Sequence, residues 1–110
     1  MAAEDGTARK SAHNQALMRD VNERIEELVG EAWQPEFLCE CASTECIETL
    51  ELSLAEYESI RRSPVRFLIK PGHDLSEVER VVEENERYIV VEKVGEAARV
   101  AAKRDPRSRA

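Results

Sequence analysis

The sequence predicts an α+β fold, with a small and mostly antiparallel sheet, a long helix near the N-terminus and a second helix near the C-terminus. Apolar residues recur at helical spacing over residues 11–29, which predicts the long helix. Between residues 36 and 94, short runs of strand-forming residues are separated by turn residues. With 110 residues, the chain has room for one modest core. We therefore expect a single α+β domain over residues 11–104.

The N-terminal part divides into a tail and a helix. Residues 1–10 show no periodicity and are predicted to form a disordered tail. The apolar residues of the helix are Leu17, Val21, Ile25 and Leu28, and Gly30 provides a stop. We expect this apolar face to pack on the sheet of the same chain, with a dimerising seam as the alternative. Trp33 is expected to fill part of the core.

A predicted β-hairpin follows, and it holds every cysteine of the chain. Residues 36–41 and 46–52 alternate between two faces and are joined by four residues. The cysteines are Cys39, Cys41 and Cys46. Residues two apart in a regular strand lie about 6–7 Å apart, whereas sulfurs around a tetrahedral zinc ion lie under about 4 Å apart. The first strand must therefore end or bend near Cys39 if these cysteines share a metal.

The next segment predicts a helix, a strand and a tight turn. Ser53 and Glu56 match a capping box, so a helix is expected from there to residue 62. Its inward residues would be Leu54, Tyr57 and Ile60. Residues 65–70 form a predicted strand, which Pro71-Gly72 ends, so that His73 lies in the turn.

The C-terminal part begins with a segment that fits two patterns. Residues 74–82 begin like a capping box and are predicted to be helical, with a hairpin between 81–82 and 88–91 as the alternative. Residues 87–94 are apolar on both faces, which predicts a central strand. An alanine-rich helix over residues 96–104 follows. Residues 105–110 are expected to form a basic, solvated tail.

The charge distribution bears on the chemistry of the cysteines. The net charge is −7, and between Arg24 and Arg61 there are ten acidic residues but no lysine or arginine. A negative field raises thiol pKa values and so disfavours a nucleophilic cysteine. A divalent cation is attracted to the same field. The charge pattern therefore favours a metal site over a catalytic thiol.

A structural zinc site is the chemistry that we predict from these residues. Its ligands would be Cys39, Cys41, Cys46 and His73. Four protein ligands leave zinc no open position, which is typical of structural sites. Alternatives are three buried cysteines with no shared chemistry, redox thiols, a Cys41–Cys46 disulfide, or an iron centre. His13, the other histidine, is expected to be solvated.

Known catalytic signatures are not found in the sequence. It contains no glycine-rich phosphate loop, no G-x-S-x-G and no H-E-x-x-H, and no apolar run approaches the roughly 20 residues that a membrane span needs. The start lacks the features of a signal peptide, so we expect a cytoplasmic location. We expect a non-enzymatic zinc module that acts in cytoplasmic regulation through contacts with another protein, rather than with nucleic acids, membranes or small-molecule substrates. A cysteine-based redox or metal sensor is the alternative function.

The chain resembles a family of small uncharacterised proteins from actinobacterial genomes over about residues 15–106. The resemblance is carried by Phe37-Leu38-Cys39-Glu40-Cys41, Cys46, Leu54-Ala55-Glu56-Tyr57-Glu58, Arg66-Phe67, Pro71-Gly72-His73 and Tyr88-Ile89-Val90-Val91-Glu92-Lys93. The family has no assigned activity, so the resemblance implies no mechanism. It implies that the cysteines and the Pro-Gly-His turn belong together.

Overall fold

The computed structural model describes residues 2–29, 35–43, 45–75 and 77–109, and the side chains among them from residue 14 to residue 107. This part of the chain contains three α-helices: α1 (Ala2–Leu28), α2 (Leu54–Arg61) and α3 (Gly95–Lys103). Its strands are β1 (Glu36–Leu38), β2 (Thr49–Glu51), β3 (Arg66–Ile69), β4 (Glu79–Glu84) and β5 (Ile89–Lys93). A short 3₁₀ helix, Pro106–Arg109, follows α3. The predicted stop at Gly30 and the predicted core position of Trp33 lie outside the described residues.

The strands form two antiparallel sheets, which confirms the predicted α+β class. β1 pairs with β2, with Phe37 opposite Leu50. The second sheet has the order β3-β5-β4, so β5 is central, as its two apolar faces predicted. The buried apolar residues of both sheets and α2 form one cluster. Within it, the rings of Phe37 and Tyr57 stack with their centroids 4.3 Å apart.

The capping box at the start of α2 is present as predicted. The Ser53 hydroxyl accepts a hydrogen bond from the Glu56 backbone at 3.0 Å, and the Glu56 carboxylate accepts one from the Ser53 backbone at 2.8 Å. Tyr57 and Ile60 are buried, and Leu54 is half-buried. The local sequence therefore determined both where this helix begins and which face it buries.

The predicted helix over residues 74–82 is wrong, and the alternative hairpin is found. Residues 79–84 form β4, which pairs with β5 through a register shift between Val81 and Glu83. Asn85 fixes the connection, because its side-chain oxygen accepts hydrogen bonds from the backbone of Arg87 at 2.8 Å and of Tyr88 at 2.9 Å. The turn chemistry of Asn85 and the cross-strand pairing outweigh the helical spacing of the valines.

The predicted inward face of α1 is wrong at three of its four residues. Ile25 packs against the core as predicted, but Leu17, Val21 and Leu28 are 46%, 37% and 70% exposed. The buried face of the described part of α1 carries polar residues instead: Gln15, Arg19 and Asn22, with Ala16. Arg19 donates hydrogen bonds to the carbonyl oxygens of Pro64 at 2.6 Å and Ala101 at 2.9 Å. The body of the protein presents polar groups to this helix, and these groups select its polar face.

Both predicted tails differ in the structure. Residues 2–10 belong to α1, where a disordered tail was expected; alanines and early acidic residues suit a helix N-terminus. At the other end, Asp105 is buried and Arg107 forms ion pairs with Glu23, Glu26 and Glu58. Arg107 therefore packs on the domain rather than lying free in solvent.

No helix in the described part of the chain is both long and apolar enough to cross a membrane.

The ion pairs of Arg107 with Glu23, Glu26 and Glu58 lead to a prediction about the pH dependence of stability. Burial, followed by the hydrogen bond with Glu58, raises the pKa of Glu26 to about 7 from the ordinary value of 4.5. The folded state therefore binds this proton more tightly than the unfolded chain does. The contribution to stability is fully present below the ordinary pKa and is lost as the pH rises through about 7.

We expect Glu26→Gln to reduce the difference in unfolding free energy between about pH 5 and about pH 8, as measured by urea unfolding with saturating zinc. Glu27→Gln is the matched control, because Glu27 lies on the same helix with its side chain 62% exposed. An unchanged pH dependence in Glu26→Gln would contradict the assignment.

Candidate metal centre

The chain leaves the β1–β2 ladder at the first cysteine. The Cys39 backbone N–H still bonds the Glu48 carbonyl at 2.9 Å, but the next N–H, of Glu40, donates to the Leu68 carbonyl in the other sheet at 2.7 Å. β1 therefore ends at Leu38, and the regular alternation ends with it. This is the break that two cysteines at i and i+2 require to approach a common metal ion.

The turn after β3 brings His73 to the cysteines. The His73 backbone N–H bonds the Lys70 carbonyl at 3.0 Å, which closes a four-residue turn. Gly72 has a φ of +93°, as the third residue of a type II turn requires, and Pro71 precedes it. The same turn places the Lys70 backbone N–H 3.2 Å from the Cys39 sulfur, where it donates a hydrogen bond. Local turn chemistry thus positions both a ligand and a donor to another ligand.

The structure brings the four predicted residues together. Their ligand atoms, the sulfurs of Cys39, Cys41 and Cys46 and a ring nitrogen of His73, all lie within 4.8 Å of one another. His73 Nδ1 lies 3.7 Å from the Cys39 sulfur and 3.6 Å from the Cys46 sulfur. A tetrahedral zinc ion with ordinary bond lengths places sulfur and nitrogen ligands about 3.6 Å apart. Three cysteines and one histidine therefore lie close enough to bind a metal ion.

The thiols differ in their exposure. Cys39 and Cys41 are each 2% exposed, whereas Cys46 and His73 are half-buried. Burial raises the pKa of Cys39 and of Cys41, and hydrogen bonds from the backbones of Lys70 and Ser43 oppose the shift. The two buried thiols, Cys39 and Cys41, therefore keep their protons until a cation stabilises their thiolates. These two cysteines form the inner edge of the site, and Cys46 and His73 form its outer edge. All three cysteines are free thiols in the structure.

Glu40, between the two inner cysteines, is a site residue that the sequence reasoning missed. Its carboxylate is fully buried and accepts hydrogen bonds from Asn22 at 2.9 Å, Tyr57 at 2.7 Å and the Leu68 backbone at 2.9 Å. Burial raises the pKa of Glu40, and these hydrogen bonds, with the charge of Arg61, act in the opposite direction. Because Glu40 is covalently joined to both inner cysteines, its anchoring fixes where they lie.

The helix α1 also supports the site. Asn22 donates to the Leu38 carbonyl at 2.8 Å and accepts from the Leu38 N–H at 2.8 Å, so it completes the end of β1 as a neighbouring strand would. Gln15 donates to the Glu40 carbonyl at 3.3 Å. The sequence did contain a signal, because Gln15, Arg19 and Asn22 recur at i, i+4 and i+7. A polar stripe of this kind is ordinarily assigned to solvent, and that assignment is wrong here.

No model of a known protein family matches the chain, and comparisons with curated proteins and with solved structures find no significant match. The resemblance to an actinobacterial family therefore stays a prediction. The functional argument depends on the geometry and chemistry of Cys39, Cys41, Cys46 and His73.

The support from α1 can be tested at Asn22. Asn22→Ala removes the partner of both backbone groups of Leu38 in a partly buried environment, and the Glu40 carboxylate loses one of the hydrogen bonds that it accepts. We expect a loss of about 2–4 kcal/mol in unfolding free energy, as measured by urea unfolding. Asn14→Ala, at a half-buried position of the same helix, is the control. Equal effects of the two substitutions would show that Asn22 has no special role.

Proposed function

We propose that this protein is a small cytoplasmic module which binds one structural zinc ion through Cys39, Cys41, Cys46 and His73 and acts in regulation by contacting another protein. The observation that carries the proposal is the convergence of these four ligand atoms within 4.8 Å. They come from the β1–β2 connection and from a turn 27 to 34 residues further along the chain. A metal ion at this point would hold the two segments together.

The ligand chemistry favours zinc. Three thiolates and one imidazole form a soft ligand set that suits tetrahedral zinc, whereas calcium and magnesium prefer oxygen ligands. The separations of 3.6 and 3.7 Å between sulfur and nitrogen fit that geometry. Four protein ligands complete the coordination shell, which supports a structural rather than a catalytic ion. The ion would add its binding energy to the stability of a small domain.

The surface beside the site supports a protein partner with a basic face. The exposed residues of the β1–β2 segment include four acidic residues: Glu36, Glu45, Glu48 and Glu51. Ile47, which lies between Glu45 and Glu48 in the chain, is 85% exposed. An exposed apolar side chain flanked by acidic residues suits a partner with an apolar pocket and a basic rim. The same charges would repel the phosphates of a nucleic acid.

The exposed outer edge of the site favours a second candidate, a redox or metal sensor. Cys46 and His73 are half-buried, so an oxidant or chelator can reach them before it reaches the inner thiols. Peroxide would oxidise Cys46 to a sulfenic acid, and the Cys41 thiolate would displace water or hydroxide to form a disulfide with loss of the zinc ion. The number of titratable thiols and the amount of released zinc, measured after mild peroxide treatment, separate the two roles. A sensor loses thiols and zinc, whereas a purely structural site keeps the number of thiols unchanged.

The zinc site has a direct test. We expect about one equivalent of zinc in the purified protein, and an affinity at least about 100-fold lower in Cys46→Ser and His73→Ala, because even outer-shell substitutions cost about 10–100-fold. His13→Ala, which changes the other histidine, is the matched control. Competition with a chromogenic chelator gives the affinities. Absorption of the Co²⁺-substituted protein reports whether the ligand set is tetrahedral and rich in thiolates.

Removal of the ion should also destabilise the fold. We expect chelation to lower the unfolding temperature and to increase amide hydrogen exchange most strongly over residues 38–48 and 70–74. Full stability and an unchanged exchange pattern after metal removal would contradict a structural role.

A further inference from the structure

The solvent side of α1 forms a second surface, which the metal site does not explain. Its exposed residues in the described part of the helix are Leu17, Asp20, Val21, Arg24, Glu27 and Leu28; we call this set the outer face of α1. Three of these residues are apolar, and their exposed fractions are 46%, 37% and 70%. They are separated by four and seven residues, so they line one side of the helix.

The helix cannot rotate to bury this apolar row in its own core. Asn22 is bound to both backbone groups of Leu38 and to Glu40, and Arg19 is bound to the carbonyl oxygens of Pro64 and Ala101. Turning the helix would leave these groups unpaired, at a cost that exceeds the gain from covering the two leucines and the valine of the row. The apolar row is therefore held outward by the polar interface beneath it.

We propose that the outer face of α1 pairs with the same face of a second copy of this chain, with the two helices antiparallel, to form a homodimer. Four-residue and seven-residue spacings of apolar side chains are those of a helix-pair seam. A two-fold axis makes each surface its own complement, so a single apolar row is sufficient.

Charge complementarity selects the antiparallel arrangement. When Leu17 lies opposite the partner's Leu28, Val21 lies opposite the partner's Arg24, and Asp20 lies beside that same arginine. The two-fold axis repeats each contact, which gives two Asp20 to Arg24 pairs. A parallel pair would instead place Arg24 against the partner's Arg24, which is unfavourable. Among the described residues of one chain, Arg24 forms an ion pair only with exposed Glu27, at 3.1 Å, so it is available for this contact at little cost.

The size of the surface sets the expected affinity. The apolar part of this surface is small, since it consists of three partly exposed residues per chain. A contact of this size, without further elements, is at the small end of specific interfaces. We therefore expect a dimer with a dissociation constant in the range of roughly 10–100 μM.

Sedimentation equilibrium of the zinc-loaded full chain, over about 1–300 μM, tests the proposal. We expect the mass of a dimer at the upper end of the range. Leu17→Lys should raise the dissociation constant at least about tenfold, because it places a charge in the apolar row. Val81→Lys is the matched control, because Val81 is 43% exposed, much as Leu17 is, but lies outside α1, and it should leave the dissociation constant unchanged.

Charge reversal tests the direction of pairing. Asp20→Arg alone and Arg24→Asp alone should each weaken the dimer, and the double variant D20R/R24D should restore it, because both pairs then form with reversed sign. Unfolding temperature and zinc content, measured on the same samples, show that each variant is folded and separate this result from failure of the zinc proposal.

A chain that stays monomeric at about 300 μM would overturn the homodimer. A dimer that Leu17→Lys does not weaken, or a double variant no better than either single one, would equally overturn the proposed interface. A monomer that binds an unrelated amphipathic helix through Leu17 would show that the face serves a different partner.

Discussion

The burial of the Glu40 carboxylate is the constraint on which the rest of the structure depends. A buried carboxylate needs donors around it, and here they come from α1, α2 and β3 through Asn22, Tyr57 and the Leu68 backbone. These three bonds fix the relative positions of the elements, because each is short and directional. Glu40 lies between Cys39 and Cys41 in the chain, so the same bonds set the positions of two sulfurs. The candidate metal centre and the core are therefore one connected structure.

Polar contacts, rather than apolar packing, determine how α1 sits on the body. Gln15 reaches the buried Glu79–Lys93 ion pair, and the guanidinium of Arg19 lies 4.4 Å from the centre of the Phe67 ring. Such an interface specifies position strongly because a shifted helix would leave buried groups unpaired. This polar interface buries less apolar surface area than an apolar helix face would. The apolar side of α1 remains available for association, which connects the internal polarity of this fold to its external surface.

The uneven charge of the sequence is partly neutralised by folding. Arg61 and Arg107 approach the acidic residues of α1 and α2, where Arg107 contacts Glu23, Glu26 and Glu58. The carboxylates of the β1–β2 segment have fewer cationic neighbours, with Lys70 beside Glu48 at 3.1 Å. Exposed acidic residues therefore remain near the candidate metal centre. A cation would be attracted there, and so would a basic partner.

The sequence by itself determined the α+β class, the capping box of α2, the central position of β5, the Pro-Gly turn before His73 and the membership of the ligand cluster. Each of these follows from signals within a few residues, or from cysteines too closely spaced to serve only as packing. The tertiary structure decided that residues 79–84 form a strand, that α1 buries its polar face and that Glu40 is buried. The buried face of α1 and the burial of Glu40 depend on partners 16 to 82 residues away, whereas the β4 strand depends on its pairing with β5 across the Asn85 turn. A polar residue is expected to be solvent-exposed until the fold supplies its partner, and only the folded structure shows which groups meet.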